Sequence, residues 1–254
     1  MTGCGGDVAD PGNEVGAAGI YMSSMAVTAH LIDRATVAQG TGAFTFRLDG
    51  DLPFTAGQTV DITIPSPLHS DEKGNARTFS ITSSPADLPS ITIATRLTGS
   101  AFKRTLLDGP IGMPVEVDGP YGSFTLHNKA SRPALLLAGG IGITPFRSIV
   151  KDATERRLAH RLVLLYSNRS QEATAFLDDL NGWARVNANV RIVPVYTDTS
   201  GFVTAETIAR ETPDLPSAIA YAAGPDPFVR AMRQALLDAG VDPDDIRTEE
   251  FPGY

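Results

Sequence analysis

Cysteine is almost missing from this chain of 254 residues: Cys4 stands alone. A single thiol excludes an internal disulfide and any iron–sulfur cluster held by the chain's own cysteines, since such clusters take several thiolates. Basic residues are also short, 21 Lys and Arg against 29 Asp and Glu, for a formal charge of −8. That balance argues against a nucleic-acid partner, because nothing neutralises a row of phosphates. Lys103-Arg104 and Arg156-Arg157 read as solvated surface. No apolar run reaches the roughly 18 residues a membrane-spanning helix needs, so the expectation is a soluble, cytoplasmic protein. His30, His69, His127 and His160 are scattered, with no spacing that puts two on one face, and no metal site is expected. Neither a Gly-x-Ser-x-Gly elbow nor a Walker-type phosphate loop occurs. Residues 1–24, rich in Gly, Ala and Asp, lack the positive start and apolar stretch of a secretion signal. They read as a disordered tail, or as an over-extended start upstream of Met22 or Met25.

What is present divides into two patterns. From residue 25 to about 128 the apolar runs are short and β-branched: Val27–Ile32, Phe44–Leu48, Val60–Ile64, Ile91–Thr95, Val115–Val117 and Phe124–Leu126. Prolines and glycines punctuate them, so the expectation is an antiparallel β-barrel. From 132 to 254 the grammar changes. Leu135–Leu137, Leu162–Leu165, Val190–Val193 and Ala218–Tyr221 are continuous apolar runs separated by helical patterns. Alternating strand and helix with doubly buried strands predicts a parallel α/β domain. Phe228, Ala231, Met232, Ala235, Leu236 and Ala239 share one helical face, with Gly240 placed as a C-terminal cap.

Two segments carry chemistry. Gly139-Gly140-Ile141-Gly142-Ile143-Thr144-Pro145 follows the first buried strand of the second domain. Glycines allow a sharp strand-to-helix turn and let backbone N–H groups approach a pyrophosphate at the helix N-terminus. Thr144 is a candidate cap and Pro145 a first helical residue. The plain dinucleotide fingerprint is imperfect, because Pro145 stands where a third glycine belongs, and a ligand-free tight turn is the competing reading. Ala223-Gly224-Pro225 makes a similar turn after the last long apolar run. Ligands of open α/β sheets bind at that carboxyl edge. In Arg77-Thr78-Phe79-Ser80 the strand period of two puts Arg77 and Phe79 on one face, a cation and a ring within reach of one extended cofactor. Taken alone, these four residues read equally as a surface arginine beside a core phenylalanine.

In combination and order, these segments resemble the ferredoxin–NADP reductase family. Arg77-Thr78-Phe79-Ser80 with Ser83-Ser84-Pro85 is similar to its Arg-x-Tyr-Ser flavin signature, and Gly139–Pro145 to its Gly-Gly-x-Gly-x-Thr-Pro turn. Gly119-Pro120-Tyr121-Gly122-Ser123-Phe124, Ala223-Gly224-Pro225 and the acidic–aromatic ending from Glu249 to Tyr254 resemble three further family segments. The resemblance implies an N-terminal antiparallel Greek-key barrel holding FAD and a C-terminal parallel α/β domain holding NAD(P)H. It implies that Arg77 pairs with the cofactor phosphates, that Thr78 also contacts the cofactor, that Phe79 flanks the flavin and that Ser80 hydrogen-bonds near flavin N5. Ser100, Ala101 and Phe102 would open a short helix aimed at the pyrophosphate. Gly139, Gly140, Gly142, Ile143, Thr144, Pro145, Ala223, Gly224 and Pro225 would hold the nicotinamide nucleotide, and Phe251 would shield the flavin face. Ser80, Thr144 and Phe251 are thereby the candidate catalytic residues. Phe79 and Ala223 depart from the family, which usually has tyrosine and often cysteine there.

Nucleotide preference turns on Arg169, which could meet a 2′-phosphate, and on Asp198, which favours a ribose 2′-OH. The expectation is NADH over NADPH. The implied reaction is hydride transfer from NAD(P)H to flavin N5, with electrons passed to a separate acceptor: a ferredoxin-like protein, an oxygenase component or a soluble oxidant. Two alternatives stand beside it, a non-catalytic flavin- or nucleotide-binding regulatory module and a flavin or ferric reductase that uses flavin as substrate.

Overall fold

The computed structural model describes Met1 and residues 26–251. Residues 2–25, which hold all but the first residue of the tail expected at 1–24, and the final three residues lie outside it. Six strands form the first sheet: β1 (Val27–Ala38), β2 (Thr41–Leu48), β3 (Thr59–Thr63), β4 (Ala76–Ser80), β5 (Ser90–Arg96) and β6 (Pro114–Tyr121). A helix, α1 (Ala101–Asp108), lies between the last two. The order is β4-β3-β6-β1-β2-β5, antiparallel throughout. Beyond β4 the chain turns back onto the opposite edge, where Thr82 N–H donates to the Thr92 carbonyl at 2.7 Å. That contact brings the two edges of the sheet together in a barrel-like arrangement. Alternating residues such as Leu31, Phe44, Phe46, Val60, Ile62, Ile91 and Ile93 fill the interior.

The second sheet is parallel, in the order β11-β10-β7-β8-β9, built from β7 (Ala134–Gly139), β8 (Leu162–Asn168), β9 (Val190–Tyr196), β10 (Ile219–Gly224) and β11 (Ile246–Glu250). Interleaved with them run α2 (Ile143–Glu155), α3 (Leu177–Val186), α4 (Thr197–Ser200), α5 (Ala205–Glu211) and α6 (Asp226–Asp238). Leu136, Leu164 and Tyr221 face one hydrophobic cluster, Leu135, Leu137, Leu165 and Ala222 the other, so both faces are covered. The chain winds outward from β7 to β9, then crosses back to lay β10 on β7's other side. The switch point therefore lies between β7 and β10, the pair followed by the two glycine turns. Gly240, at φ 83°, follows α6 as expected.

One expected strand is absent. Phe124–Leu126 pairs with no neighbour, because its side chains are claimed by the second domain. Phe124 lies 5.6 Å, ring to ring, from both Phe146 and Tyr221. One strand went unforeseen: Ile246–Glu250 is too polar to show a buried pattern, yet it extends the parallel sheet along β10.

The two domains meet along α2. Arg147 Nη1 donates to the Thr82 carbonyl at 2.9 Å, and Ser148 Oγ to the Ser83 carbonyl at 2.5 Å. Ser84 Oγ donates to Glu155 Oε2 at 2.5 Å, and Lys151 Nζ meets Asp87 Oδ2 at 2.6 Å. The residues just beyond β4 thus bind one face of the helix that begins just beyond β7.

Candidate functional site

Strand β4 carries its side chains as the period of two demands. Thr78 points outward and bonds Asp61 on β3. Phe79 is buried in the barrel cluster, its ring 5.7 Å from that of Phe102. Arg77 lies over the same Phe102 ring at 5.5 Å, and its Nη1 donates to the carbonyls of Lys73, Gly74 and Ala76. Its Nη2 is buried without a hydrogen-bond acceptor and sits 3.6 Å from Asp71. Ser100 caps α1, accepting from Lys103 N–H. Ala101 N–H donates to Asp71 Oδ2 at 2.9 Å, and that bond holds the Asp71 carboxyl below the usual carboxylate range. A carboxylate already rests on the helix amide, with a cation beside it: an anion-binding arrangement at a helix N-terminus.

At the sheet's carboxyl edge, Gly139 ends β7 against the Phe228 ring and Gly140 turns the chain at φ 53°. Gly142 passes so close to β10 that a Cβ there would overlap the Ala223 carbonyl. The helix then starts at Ile143, which is fully buried. Thr144 is not the cap: it is the second helical residue, and its Oγ1 donates back to the Ile141 carbonyl at 3.0 Å. A one-turn 3-10 helix over Gly140–Gly142 moves the helix start forward, so Pro145 stands third, not first. Gly224 ends β10 and Pro225 precedes α6. Ala223 is fully buried between Ala138 and Glu249 in register. Phe251 N–H donates to the Gly224 carbonyl at 3.0 Å. Its side chain packs with Ile141 and Phe176 against Ala43 and Ala94 of the barrel.

Among the described residues four buried side-chain oxygens are left without partners, and two of them, Ser80 Oγ and Glu249 Oε2, belong to the sequence segments singled out above. An unsatisfied buried polar atom costs stability unless something outside the chain satisfies it. Burial pushes the Glu249 carboxyl up to about 7. Sequence reasoning missed Glu249 as a site residue; its place in the acidic–aromatic ending was the available signal, but only the β10–β11 pairing sets it beside Ala223. Arg169 and Asp198, at the ends of β8 and β9, face each other with Nε to Oδ2 at 3.4 Å. The fold also brings together two histidines that the spacing left apart. The rings of His127 and His160 meet edge to face at 5.0 Å, and His127 Nδ1 lies 3.0 Å from the Tyr221 hydroxyl. Burial lowers the His127 pKa and raises that of Tyr221. Among the described residues no group of three potential ligands could hold a metal ion, and no helix is long and apolar enough to cross a membrane.

A barrel-like antiparallel sheet joined to a doubly wound parallel sheet, with glycine turns at the switch point, defines a class of two-domain nucleotide-binding proteins. Residues 136–234 match the family described as Oxidoreductase NAD-binding domain. The chain is 29% identical over 217 residues to a flavohemoprotein of Rhodopirellula baltica, an alignment covering 78% of this chain and 53% of that protein. It is 30% identical over 204 residues to the ferredoxin reductase component of 3-ketosteroid-9-alpha-monooxygenase from Mycolicibacterium smegmatis, covering 79% and 56%. The chain thus spans little more than half the length of these relatives. Among solved structures, the Amycolatopsis cytochrome P450 reductase GcoB superposes with a TM-score of 0.78 at 25% identity, covering 89% of this chain and 69% of that one. The ferredoxin–NADP+ reductase of Plasmodium falciparum shares the fold, with a TM-score of 0.73 at 17% identity, covering 89% and 96%. In sequence and fold the chain is similar to the ferredoxin–NADP reductase-like FAD- and NAD(P)-binding oxidoreductases, and residues 136–234 are an oxidoreductase NAD-binding domain.

Proposed function

We propose that this protein is an FAD-dependent oxidoreductase that takes hydride from NAD(P)H and passes electrons to a separate acceptor. The observation that carries the reading is the junction of β4 with α2. The strand bearing Arg77, Phe79 and Ser80 leaves the barrel at Thr82, and Thr82 is bound by Arg147, one turn after Thr144. The residues present fit FAD and a nicotinamide nucleotide: Ser80 Oγ and Arg77 Nη2 are buried and unsatisfied, and a side chain at Gly140 would meet nothing within 4 Å.

In this reading Arg77 and the first amides of α1 hold the flavin pyrophosphate, with Ser100 and Ala101 framing that end of the helix. The Ser80 hydroxyl would hydrogen-bond to the flavin ring, and Phe79 would flank it. The Gly139–Pro145 turn and Ala223–Pro225 hold the nicotinamide nucleotide, with Thr144 beside its ring and Phe251 covering the flavin until the nucleotide arrives. Glu249 holds a proton or a ribose hydroxyl near Ala223. Bound FAD would supply two-electron hydride uptake and one-electron release, which side chains cannot perform. In this reading Arg169 and Asp198 would meet the adenosine end, where the carboxylate would favour NADH. The relatives named above include an oxygenase's ferredoxin reductase component. The acceptor proposed here is accordingly a ferredoxin-type protein, an oxygenase component or a soluble oxidant.

A second reading, in which flavin is a dissociating substrate, draws support from Asp71, whose carboxylate already sits on the α1 amide. Anaerobic titration with NADH, and separately NADPH, tests both readings through the flavin absorbance. Stoichiometric bound flavin that bleaches supports the first. Bleaching only of added, weakly bound flavin supports the second. Flavin that stays oxidised with both nucleotides sinks the reductase reading and favours a regulatory module.

A further inference from the structure

We propose that Arg147 is a positioning residue: it sets the separation between the flavin strand and the nicotinamide helix, and thereby the rate of hydride transfer. This rests on the reductase reading above and extends it to a residue that touches neither cofactor in that reading. Arg147 lies three residues beyond Thr144, on the same side of α2. Its Nη1 holds the Thr82 carbonyl at 2.9 Å, two residues beyond Ser80. On the other side, Nη2 and Nε donate to Asp179 Oδ2 of α3 at 2.7 and 3.3 Å. The guanidinium also lies over the Phe176 ring at 4.5 Å and the Trp183 ring at 5.3 Å.

The side chain is thus fixed from three directions, and at 15% exposure it is largely removed from water. A charge-assisted bond to a carbonyl is stronger there than on an open surface. Phe176 is itself constrained, the one residue before α3, held at φ 60° where a bulky side chain is disfavoured. It packs with Phe251 and Ile141 against the barrel, so Arg147 also steadies the apolar wall beside the reacting edge.

The remaining contacts along α2 explain why this residue differs from its neighbours. Ser148, Lys151 and Glu155 bind Ser83, Asp87 and Ser84 progressively farther along the helix from Thr144. They keep the domains docked when Arg147 is lost, while the end nearest Ser80 and Thr144 becomes free to shift. Hydride transfer needs its two atoms at roughly 3–3.5 Å, and a displacement of about 1 Å costs on the order of 100-fold in rate. Lysine cannot replace the arginine, because a point charge cannot bond Thr82 and Asp179 in one plane while stacking on Phe176.

The test is anaerobic stopped-flow reduction of the FAD-bound protein by NADH, comparing wild type with Arg147→Met, Arg147→Lys and Lys151→Met. For Arg147→Met the limiting bleaching rate should fall about 100-fold, the nucleotide Kd should move less than about threefold, and the long-wavelength charge-transfer absorbance should be lost. Arg147→Lys, which keeps the charge and so guards against misfolding, should fall between. Lys151→Met should match wild type in rate. Unchanged bleaching and charge-transfer absorbance in both Arg147 variants would overturn the proposal, as would an equal loss in Lys151→Met, which would mean general docking. Failure of wild type itself to bleach would refute the reductase reading instead, and the proposal with it.

Discussion

The Arg169 guanidinium and the Asp198 carboxylate form an ion pair at the carboxyl edge of the parallel sheet, and the Asp198 N–H also donates to the Arg169 carbonyl at 3.2 Å. The two residues argue for opposite nucleotides when considered separately. Paired, they argue for one: the arginine is engaged, and a 2′-phosphate approaching it would also approach a carboxylate. Asp198→Asn should therefore shift the kcat/KM ratio toward NADPH by roughly tenfold, about 1.4 kcal/mol, with little change for NADH. Steady-state assays with both nucleotides check this. Equal effects on the two would show that the pair lies away from the ribose.

Asp71 competes with any phosphate for the first amide of α1. Asp71→Asn should tighten FAD binding by roughly fivefold to tenfold, because the carboxylate's repulsion and its hold on Ala101 N–H are both removed. Fluorescence titration of apoprotein with FAD, and with ADP as a shorter probe, measures this. The carboxyl's pKa is depressed, so its contact is present at neutral pH and fades as pH falls through that lowered value. Unchanged affinity for both ligands in Asp71→Asn would place the pyrophosphate elsewhere.

Glu249 gives the protein a pH dependence of the opposite kind. Its carboxyl binds a proton more tightly folded, at about 7, than unfolded, near the ordinary glutamate value. The folded state therefore holds more protons between those limits, and stability falls as pH rises from about 4.5 to 7. The span is at most roughly 3 kcal/mol, and above 7 the contribution is flat. Glu249→Gln should remove this slope in urea unfolding curves and flatten any step near pH 7 in the flavin-reduction rate. Identical slopes for variant and wild type would mean that the carboxyl titrates normally.

The glycines of the first turn should separate by cause. Gly142→Ala pushes a methyl group into the Ala223 carbonyl, a backbone atom that cannot move aside. A loss of roughly 2–4 kcal/mol is expected, with weakened nucleotide binding. Gly140→Ala meets open space but must hold φ 53°, at a cost of about 1–2 kcal/mol. Denaturation midpoints rank the two, and a Gly140→Ala variant as unstable as Gly142→Ala would contradict this reading of the turn.

The sequence by itself determined most of the elements and their order, with Phe124–Leu126 and Ile246–Glu250 the exceptions. The short β-branched runs before residue 124, the continuous apolar runs after 132 and the glycine turns at 139–142 and 224 are local signals. A strand's period or a glycine's freedom is a property of neighbours in the chain, and it survives without knowledge of the fold. Arg77-Thr78-Phe79-Ser80 was legible as a strand with its arginine and phenylalanine on one side for the same reason.

Only the tertiary structure decided what these elements do to one another. Arg147 reaches Thr82 across 65 positions of sequence, and Ala101 reaches Asp71 across 30. Glu249 becomes a half-buried carboxyl with an unpartnered Oε2 because β11 adds to β10, although Ile246–Glu250 has the composition of a surface segment. Phe124 left the barrel it had been expected to join because two rings of the other domain offered it a drier contact. Desolvation, close approach and charge pairing depend on distance in space, and a linear pattern does not contain that distance until the chain has folded.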